Sequence, residues 1–185
     1  MTIEYVQNPI VSDTETFKEA TLPTHAVIRE GTWSTFTDDP NTVEGECILL
    51  PPNFFDYPQQ AWTYIDNIII ENVPYEKDRI WNEVKTVRDN LIDSGCTTPY
   101  GVVQTNKSSR DVIKALAEGT VFPVYFTLKD NTSPPRTQEE MLEIWNIVQD
   151  HVQSIWNQAL IIREAITDSN VTTLAQLYSI PTEIT

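Results

Sequence analysis

Cysteine, histidine and glycine are scarce in this sequence of 185 residues. The two cysteines, Cys47 and Cys96, and the two histidines, His25 and His151, lie far apart and outside any metal-binding spacing, so a structural zinc site or a dense disulfide framework is excluded. Two independent reduced thiols are expected, with a single Cys47–Cys96 disulfide as the alternative. The five glycines are scattered, which excludes a glycine-rich loop that binds phosphate.

Basic residues are also few. The chain has 12 Lys and Arg residues and 27 Asp and Glu residues, which gives a formal net charge of −15. A nucleic-acid backbone repels such a surface, so nucleic-acid binding is not expected. An anionic membrane surface is disfavoured for the same reason, and no apolar run approaches the roughly 20 residues of a membrane-spanning helix. The N-terminus has neither the basic nor the apolar part of a signal peptide, so we expect a protein made in a reducing cytosol.

The first part of the chain, residues 1–73, has the pattern of short strands joined by turns. Asp66-Asn67 tolerates turn geometry between two apolar runs, Trp62–Ile65 and Ile68–Val73, so a β-hairpin is predicted there. One bent strand over residues 62–73 is the alternative. We interpret residues 1–73 as a β-rich docking segment that contacts a neighbouring protein.

The second part, residues 74–185, combines helices with a small sheet. Four apolar residues recur at helical spacing and predict a helix over residues 75–94: Ile80, Val84, Val87 and Leu91. The elements predicted after it are a strand over 100–104, a helix over 111–118 capped by Ser108 or Ser109, and a strand over 122–128. Thr137 and Glu140 have the spacing of a capping box, which predicts a long helix over 137–167, and a short helix over 172–178 follows. The predicted fold class is therefore α+β.

The long helix carries an apolar seam whose residues are spaced alternately by four and three positions. The seam comprises Met141, Trp145, Val148, Val152, Ile155, Ala159, Ile162 and Ile166. A repeat of about 3.5 residues keeps one stripe of a helix facing the same partner, so the seam is predicted to be a core or an interface. A small cyclic homo-oligomer is the preferred interpretation, and an intrachain pair with the helix over 75–94 is the alternative.

Two tryptophans on the same helix, Trp145 and Trp156, are about three turns apart and lie near one face. Tryptophan is enriched at protein-binding hot spots, but it is equally suited to a core or an oligomer interface. Both interpretations stay open at this point.

Residues with catalytic chemistry form no recognisable arrangement. Glu143 and Asp150 share a helix face, but they are two turns apart, about 10 Å along the axis, which is too far to bind one metal ion. No nucleophile elbow, zinc-protease motif or kinase signature is present. We therefore predict that the protein is not an enzyme and has no catalytic, cofactor-binding or metal-binding residues.

An ordered series of short motifs over roughly residues 76–180 carries a resemblance to a known family. The motifs are Trp81-Asn82-Glu83-Val84-Lys85 with Arg88-Asp89, Gln104-Thr105-Asn106 with Ser109-Arg110, Phe126-Thr127-Leu128-Lys129-Asp130-Asn131, Thr137-Gln138-Glu139-Glu140-Met141-Leu142, and His151-Val152-Gln153 with Ile166. In this order they resemble an uncharacterised domain associated with phage tails, domain of unknown function 4376. Phe126 departs from the pattern, because Trp is often expected there, and Pro134-Pro135 lengthens the turn before the long helix.

Domains of that family occur in tail-fibre, minor tail and tail-fibre-assembly proteins. The resemblance therefore implies a structural component of the tail or tail-fibre region of a bacteriophage virion, made in the host cytoplasm and packed against other virion proteins. It carries no catalytic residues. The first alternative is a tail-fibre assembly chaperone that leaves the finished particle. The second is an acidic inhibitor that mimics DNA, although the acidic residues here are interrupted by aromatic and proline-rich stretches.

Overall fold

The computed structural model describes residues 22–29, 32–41, 43 and 45–185. The first 21 residues of the predicted docking segment lie outside this range. Within it the chain has the α+β organisation predicted from the sequence, with short strands first, then helices alternating with small sheets, and a long helix near the C-terminus. The predicted fold class is confirmed.

The first sheet contains three antiparallel strands, β1 (His25–Arg29), β2 (Thr32–Thr37) and β3 (Glu46–Leu49), in the order β2-β1-β3. Three consecutive residues of the central strand are buried: Ala26, Val27 and Ile28. Beyond this sheet, a proline-rich stretch forms two short 3-10 turns, Phe54–Asp56 and Gln59–Ala61.

The predicted hairpin is confirmed, with β4 (Trp62–Ile65) pairing antiparallel to β5 (Ile68–Glu71). The two turn residues, Asp66 and Asn67, have φ of +51° and +61°. A two-residue turn of this hand matches the twist of a hairpin, and Asp and Asn adopt positive φ more readily than most residues. Local chemistry therefore explains this element fully.

Helix α1 (Val73–Asp93) follows at once and ends beside Gly95, which has φ of +95°. It begins two residues earlier than predicted because the Asn72 side chain accepts a hydrogen bond from the Tyr75 N–H and caps the first turn. The next two strands, β6 (Cys96–Thr98) and β7 (Gly101–Val103), form a second antiparallel pair.

The next helix begins four residues earlier than the predicted start at residue 111. Helix α2 spans Lys107–Ala117, and Asn106 caps it by accepting a hydrogen bond from the Ser109 N–H. The predicted caps, Ser108 and Ser109, therefore lie inside the helix. An Asn side chain satisfies the unpaired donors at a helix start as well as a Ser side chain does, so the choice between them depends on backbone geometry.

The strand predicted over residues 122–128 is much shorter in the structure, where β8 spans Val124–Tyr125 and pairs with β9 (Pro135–Arg136). In this register the next residue of β9, Pro134, would face Phe126, and it has no backbone N–H to donate, so the hydrogen-bonded ladder does not continue along the rest of the predicted strand. The prediction of a longer strand was wrong for this reason.

The long helix α3 spans Gln138–Thr167, and the predicted capping box between Thr137 and Glu140 is present. The last helix, α4 (Leu174–Tyr178), begins two residues later than predicted because Thr173 and Gln176 form a second capping box.

Helix α3 runs through two hydrophobic clusters. Its C-terminal half packs with α1, α4 and the aromatic residues around β4, whereas its N-terminal half packs with α2, β6 and β7. The first cluster joins residues from both sides of the predicted domain boundary at residues 73 and 74, from Ala26 to Ile184. The described β-rich part therefore shares a core with α1 and α3.

Candidate functional site

The predicted seam faces the interior of the same chain. Six of its members are buried: Met141, Val148, Ile155, Ala159, Ile162 and Ile166. Trp145 and Val152 are partly buried at the edges of the two clusters. Ile144, which the four-three spacing passes over, is fully buried as well. It follows Met141 by three residues, so the period of 3.6 residues that describes a straight helix predicts that both lie on the same face.

The intrachain partners of the seam are α1 and α2. Ile80, Val84 and Leu91 of α1 lie in the same cluster as the C-terminal half of the seam, as the intrachain alternative expected. Val87 is exposed and does not fill the seam, so that part of the expectation was wrong. Most of the seam is therefore covered by other helices of the same chain and not by a second protein.

The two tryptophans of α3 lie in different surroundings. Trp145 packs on the cluster around α2, whereas Trp156 is 46% exposed. The guanidinium of Arg88, on α1, lies 3.9 Å from the centre of the Trp156 ring. Trp145 therefore belongs to the core, and Trp156 forms part of the surface between α1 and α3.

Cationic side chains cover a second indole on this surface. Lys85 Nζ lies 5.9 Å from the centre of the Trp81 ring, and the guanidinium of Arg163 lies 5.6 Å from it. Each cation is attracted to the electron-rich face of the ring, which holds both groups in place. We call Trp81, Lys85, Arg88, Trp156 and Arg163 the aromatic–cationic surface. It combines Trp and Arg, two of the residue types that are enriched at protein-binding hot spots.

A buried carboxylate lies at the other end of α1. Glu76 is fully buried, and Arg79 Nε donates to its two carboxylate oxygens at 2.8 and 2.9 Å. The phenol of Tyr178, on α4, donates a further hydrogen bond to Glu76 Oε1. This cluster joins the first turn of α1 to the C-terminal helix.

The electrostatics of the cluster keep Glu76 ionised. Burial raises the pKa of Glu76, but the hydrogen bonds from Arg79 and Tyr178 and the charge of Arg79 outweigh it, so the pKa lies below its usual range. Burial, together with the hydrogen bond to Glu76, raises the pKa of Tyr178 to about 12. An ionised carboxylate with both oxygens occupied is suited to holding two helices together rather than to transferring protons.

Sequence reasoning missed this cluster. The only local signal was the three-residue spacing of Glu76 and Arg79, which occurs on many solvated helix faces. Tyr178 comes from the last helix, so its contact with Glu76 required the tertiary structure.

The metal-binding and cysteine candidates stay separate in the structure. Within the described ranges, no group of three or more His, Cys, Asp or Glu residues could hold a metal ion. His151 lies on α3, and its buried Nε2 has no hydrogen-bond partner among the residues that the structure describes. His25 Nδ1 lies 2.8 Å from the Thr24 hydroxyl. Both Cys47 and Cys96 are free thiols. Among the helices of the described residues, none combines the length and the apolar character of a membrane span.

The comparisons with known proteins give one match. A family model described as Domain of unknown function (DUF4376) matches residues 75–180, from the first turn of α1 to just beyond α4. No curated protein and no solved structure matches the chain. The matched region covers more than half of the 185 residues and contains all but the first two residues of α1, together with α2, the seam and the aromatic–cationic surface. The chain therefore belongs to the DUF4376 family, a domain family of unknown function.

Proposed function

We propose that this protein is a structural component of the tail or tail-fibre region of a bacteriophage virion and that it works by packing against other proteins. Family membership over residues 75–180 supports the proposal, because the sequence resemblance associates such domains with tail-fibre, minor tail and tail-fibre-assembly proteins. The proposed location is the virion, after synthesis in the host cytoplasm.

The observation that carries the packing role is the aromatic–cationic surface. Trp156 is nearly half exposed although α3 has a complete apolar face of its own, and Leu160, one turn later, is exposed as well. A large aromatic side chain at the surface, held in position by Arg88, loses little conformational freedom when a partner covers it. This surface is the proposed contact with another virion protein or with a second copy of the chain.

A small cyclic homo-oligomer remains the preferred assembly. The buried seam is occupied by α1 and α2, so the contact between copies is proposed to use the outer face of α3, around Trp156 and Leu160. This assignment keeps the long helix at the subunit interface without opening the core.

Quantitative mass spectrometry of purified phage particles tests the proposed function. We expect the protein at a fixed copy number relative to the major tail proteins. Its absence from particles, with abundant protein in infected cells, would replace the structural role with that of a tail-fibre assembly chaperone.

A matched pair of variants tests the surface in the same particles. Trp156→Ala should lower incorporation, whereas Ile161→Ala, at an exposed position on another side of α3, should leave it unchanged. Far-ultraviolet circular dichroism establishes that both variants are folded. Equal incorporation of the two variants would contradict a contact through Trp156.

A further inference from the structure

A groove of about 330 Å³ runs between strand β8 and helix α2. Ser108, Val112 and Leu116 line its helical wall, and Tyr125 and Thr127 line the opposite wall. Residues 108, 112 and 116 are four apart, so they lie along one face of α2. Phe126 also lines the groove and is almost completely buried, which gives the groove an apolar floor.

The strand wall of this groove has a backbone edge that pairs with no other strand of the described residues. Tyr125 is paired with Pro135 of β9, and a hydrogen-bonded antiparallel pair requires an N–H from both residues. Pro135 has no N–H, so the two residues form the non-hydrogen-bonded kind of pair. The backbone N–H and C=O of Tyr125 consequently point away from β9. In the part of the chain that the structure describes, no strand pairs with β8 on that side.

Contacts with the rest of the domain hold this edge in place. The Lys129 N–H donates to the Val102 carbonyl at 2.9 Å, and Arg136 donates to the Tyr100 carbonyl at 3.1 Å. The Arg136 guanidinium also lies 5.0 Å from the centre of the Tyr100 ring. Both ends of the β8–β9 hairpin are therefore tied to β7 and its turn, so the edge is formed before any ligand arrives.

The side chains around the groove indicate which ligand fits it. None of the residues that line it carries a formal charge, although 21% of the chain is charged. Tyr125 is 72% exposed at the rim, and Val112 is half-exposed on the opposite wall. A charged side chain placed here would lose water without gaining an ionic partner, which is unfavourable. An extended, uncharged segment loses little hydration and finds backbone partners on the strand wall.

We propose that the groove binds an extended, uncharged peptide segment of a partner protein, which adds as a strand to the free edge of β8. The backbone N–H and C=O of Tyr125 pair with the segment, and one of its apolar side chains lies over Phe126 between Val112 and Tyr125. The volume is near the lower end of the range of about 300–1,000 Å³ for binding pockets, which suits a few residues of a peptide. This inference does not rest on the proposed virion role.

Selection from a library of randomised seven-residue peptides, with the purified full-length chain as bait, tests the proposal. Enriched peptides should contain uncharged apolar residues and should bind the wild-type chain. Val112→Asp should weaken binding by about tenfold or more, because it places a charge in the groove. Tyr125→Ala, at a more exposed position, is a second variant that removes a groove contact with little risk to folding. Ile161→Asp, on a distant exposed surface, is the matched control and should have no effect.

Single N-methylation along an enriched peptide distinguishes strand addition from side-chain binding. Successive amides of an added strand point in opposite directions, so methylation of the amide that pairs with Tyr125 should abolish binding and methylation of its two neighbours should be tolerated. If N-methylation abolishes binding at none of the positions, the proposal is overturned.

Three other outcomes would also overturn it. Failure to enrich any peptide over a parallel selection on Val112→Asp would remove the groove as a peptide site. Binding of maltoheptaose at Tyr125 without any peptide binding would assign the groove to carbohydrate. A wild-type oligomer that Val112→Asp converts to single chains, again without peptide binding, would make the groove a subunit interface. These measurements use isolated protein, so they can fail or succeed whether or not the protein is found in particles.

Discussion

The phenol of Tyr178 donates a hydrogen bond to Oε1 of Glu76, a residue 102 positions earlier in the chain. This contact joins the last helix to the first turn of α1 at the edge of the matched family region. We expect Glu76→Gln to lower the free energy of unfolding by about 1–3 kcal/mol. A glutamine amide is neutral and has one acceptor oxygen, so it cannot replace the two carboxylate oxygens that accept hydrogen bonds from Arg79 and Tyr178. Urea unfolding at neutral pH measures the change.

Glu83→Gln is the control, because Glu83 pairs with the same Arg79 from a solvent-exposed position. Its effect should stay within about 1 kcal/mol, as for other surface ion pairs. Equal losses for the two variants would show that burial of Glu76 contributes nothing beyond its charge.

The same pair predicts how stability depends on pH. The pKa of Glu76 is lowered in the folded protein, so its stabilising contribution is present at neutral pH and is lost as the pH falls through the folded-state pKa. The pKa of Tyr178 is raised to about 12, so its contribution is present below the unfolded-state pKa of about 10 and is lost between pH 10 and 12. Unfolding free energies measured across both ranges should fall more steeply at alkaline pH for the wild-type chain than for Tyr178→Phe. Parallel curves would contradict the assignment of Tyr178.

Two adjacent isoleucines in α3 provide a test of the seam. Ile162 is 6% exposed and packs in the first cluster, whereas Ile161 is 66% exposed. Ile162→Ala should cost about 2–4 kcal/mol, because it removes buried apolar atoms and leaves a cavity. Ile161→Ala should change stability by less than about 0.5 kcal/mol. In the same seam, Ile155→Ala should cost more than Val152→Ala, because Ile155 is buried and Val152 is only partly buried. Thermal or urea unfolding measures both changes. Equal effects at residues 161 and 162 would contradict the orientation of α3, in which Ile162 faces the core and Ile161 faces solvent.

Gly95 is predicted to be intolerant of any side chain. Its φ is +95°, and a Cβ atom there would lie 2.6 Å from the backbone carbonyl oxygen of Val103. Because the obstacle is backbone, it cannot move aside as a flexible side chain would, so Gly95→Ala should cost about 2–4 kcal/mol. Gly119→Ala is the comparison, since Gly119 is not at positive φ and its added Cβ meets its nearest neighbour at 3.2 Å. A smaller loss at Gly95 than at Gly119 would contradict the prediction.

Self-association is predicted to depend on the outer face of α3. Light scattering at micromolar concentration should give the mass of a small oligomer for the wild-type chain, and Leu160→Asp should lower it by placing a charge in an apolar contact. Ile161→Asp carries the same new charge on another side of the helix and should leave the mass unchanged. A wild-type mass of one chain that does not change on dilution would exclude a stable homo-oligomer.

The elements that have local causes could be predicted from the amino-acid sequence. The Asp66-Asn67 turn and the Thr137–Glu140 capping box were predictable because the residues that stabilise each conformation lie within a few positions of one another. The helical stripe of α3 was predictable for the same reason, since an apolar period of about 3.5 residues describes a helix without reference to its partner.

The partner of each apolar face could not be predicted in this way, because it depends on how the whole chain folds. The α3 stripe is continuous in sequence, yet its two halves pack into different clusters, one with α2 and the other with α1 and α4. Pro134 ends the β8–β9 ladder from a position several residues away across a turn, and Tyr178 contacts Glu76 from the far end of the chain. Periodicity reports that a face is apolar, but the identity of its partner depends on how distant segments meet, which no local pattern encodes.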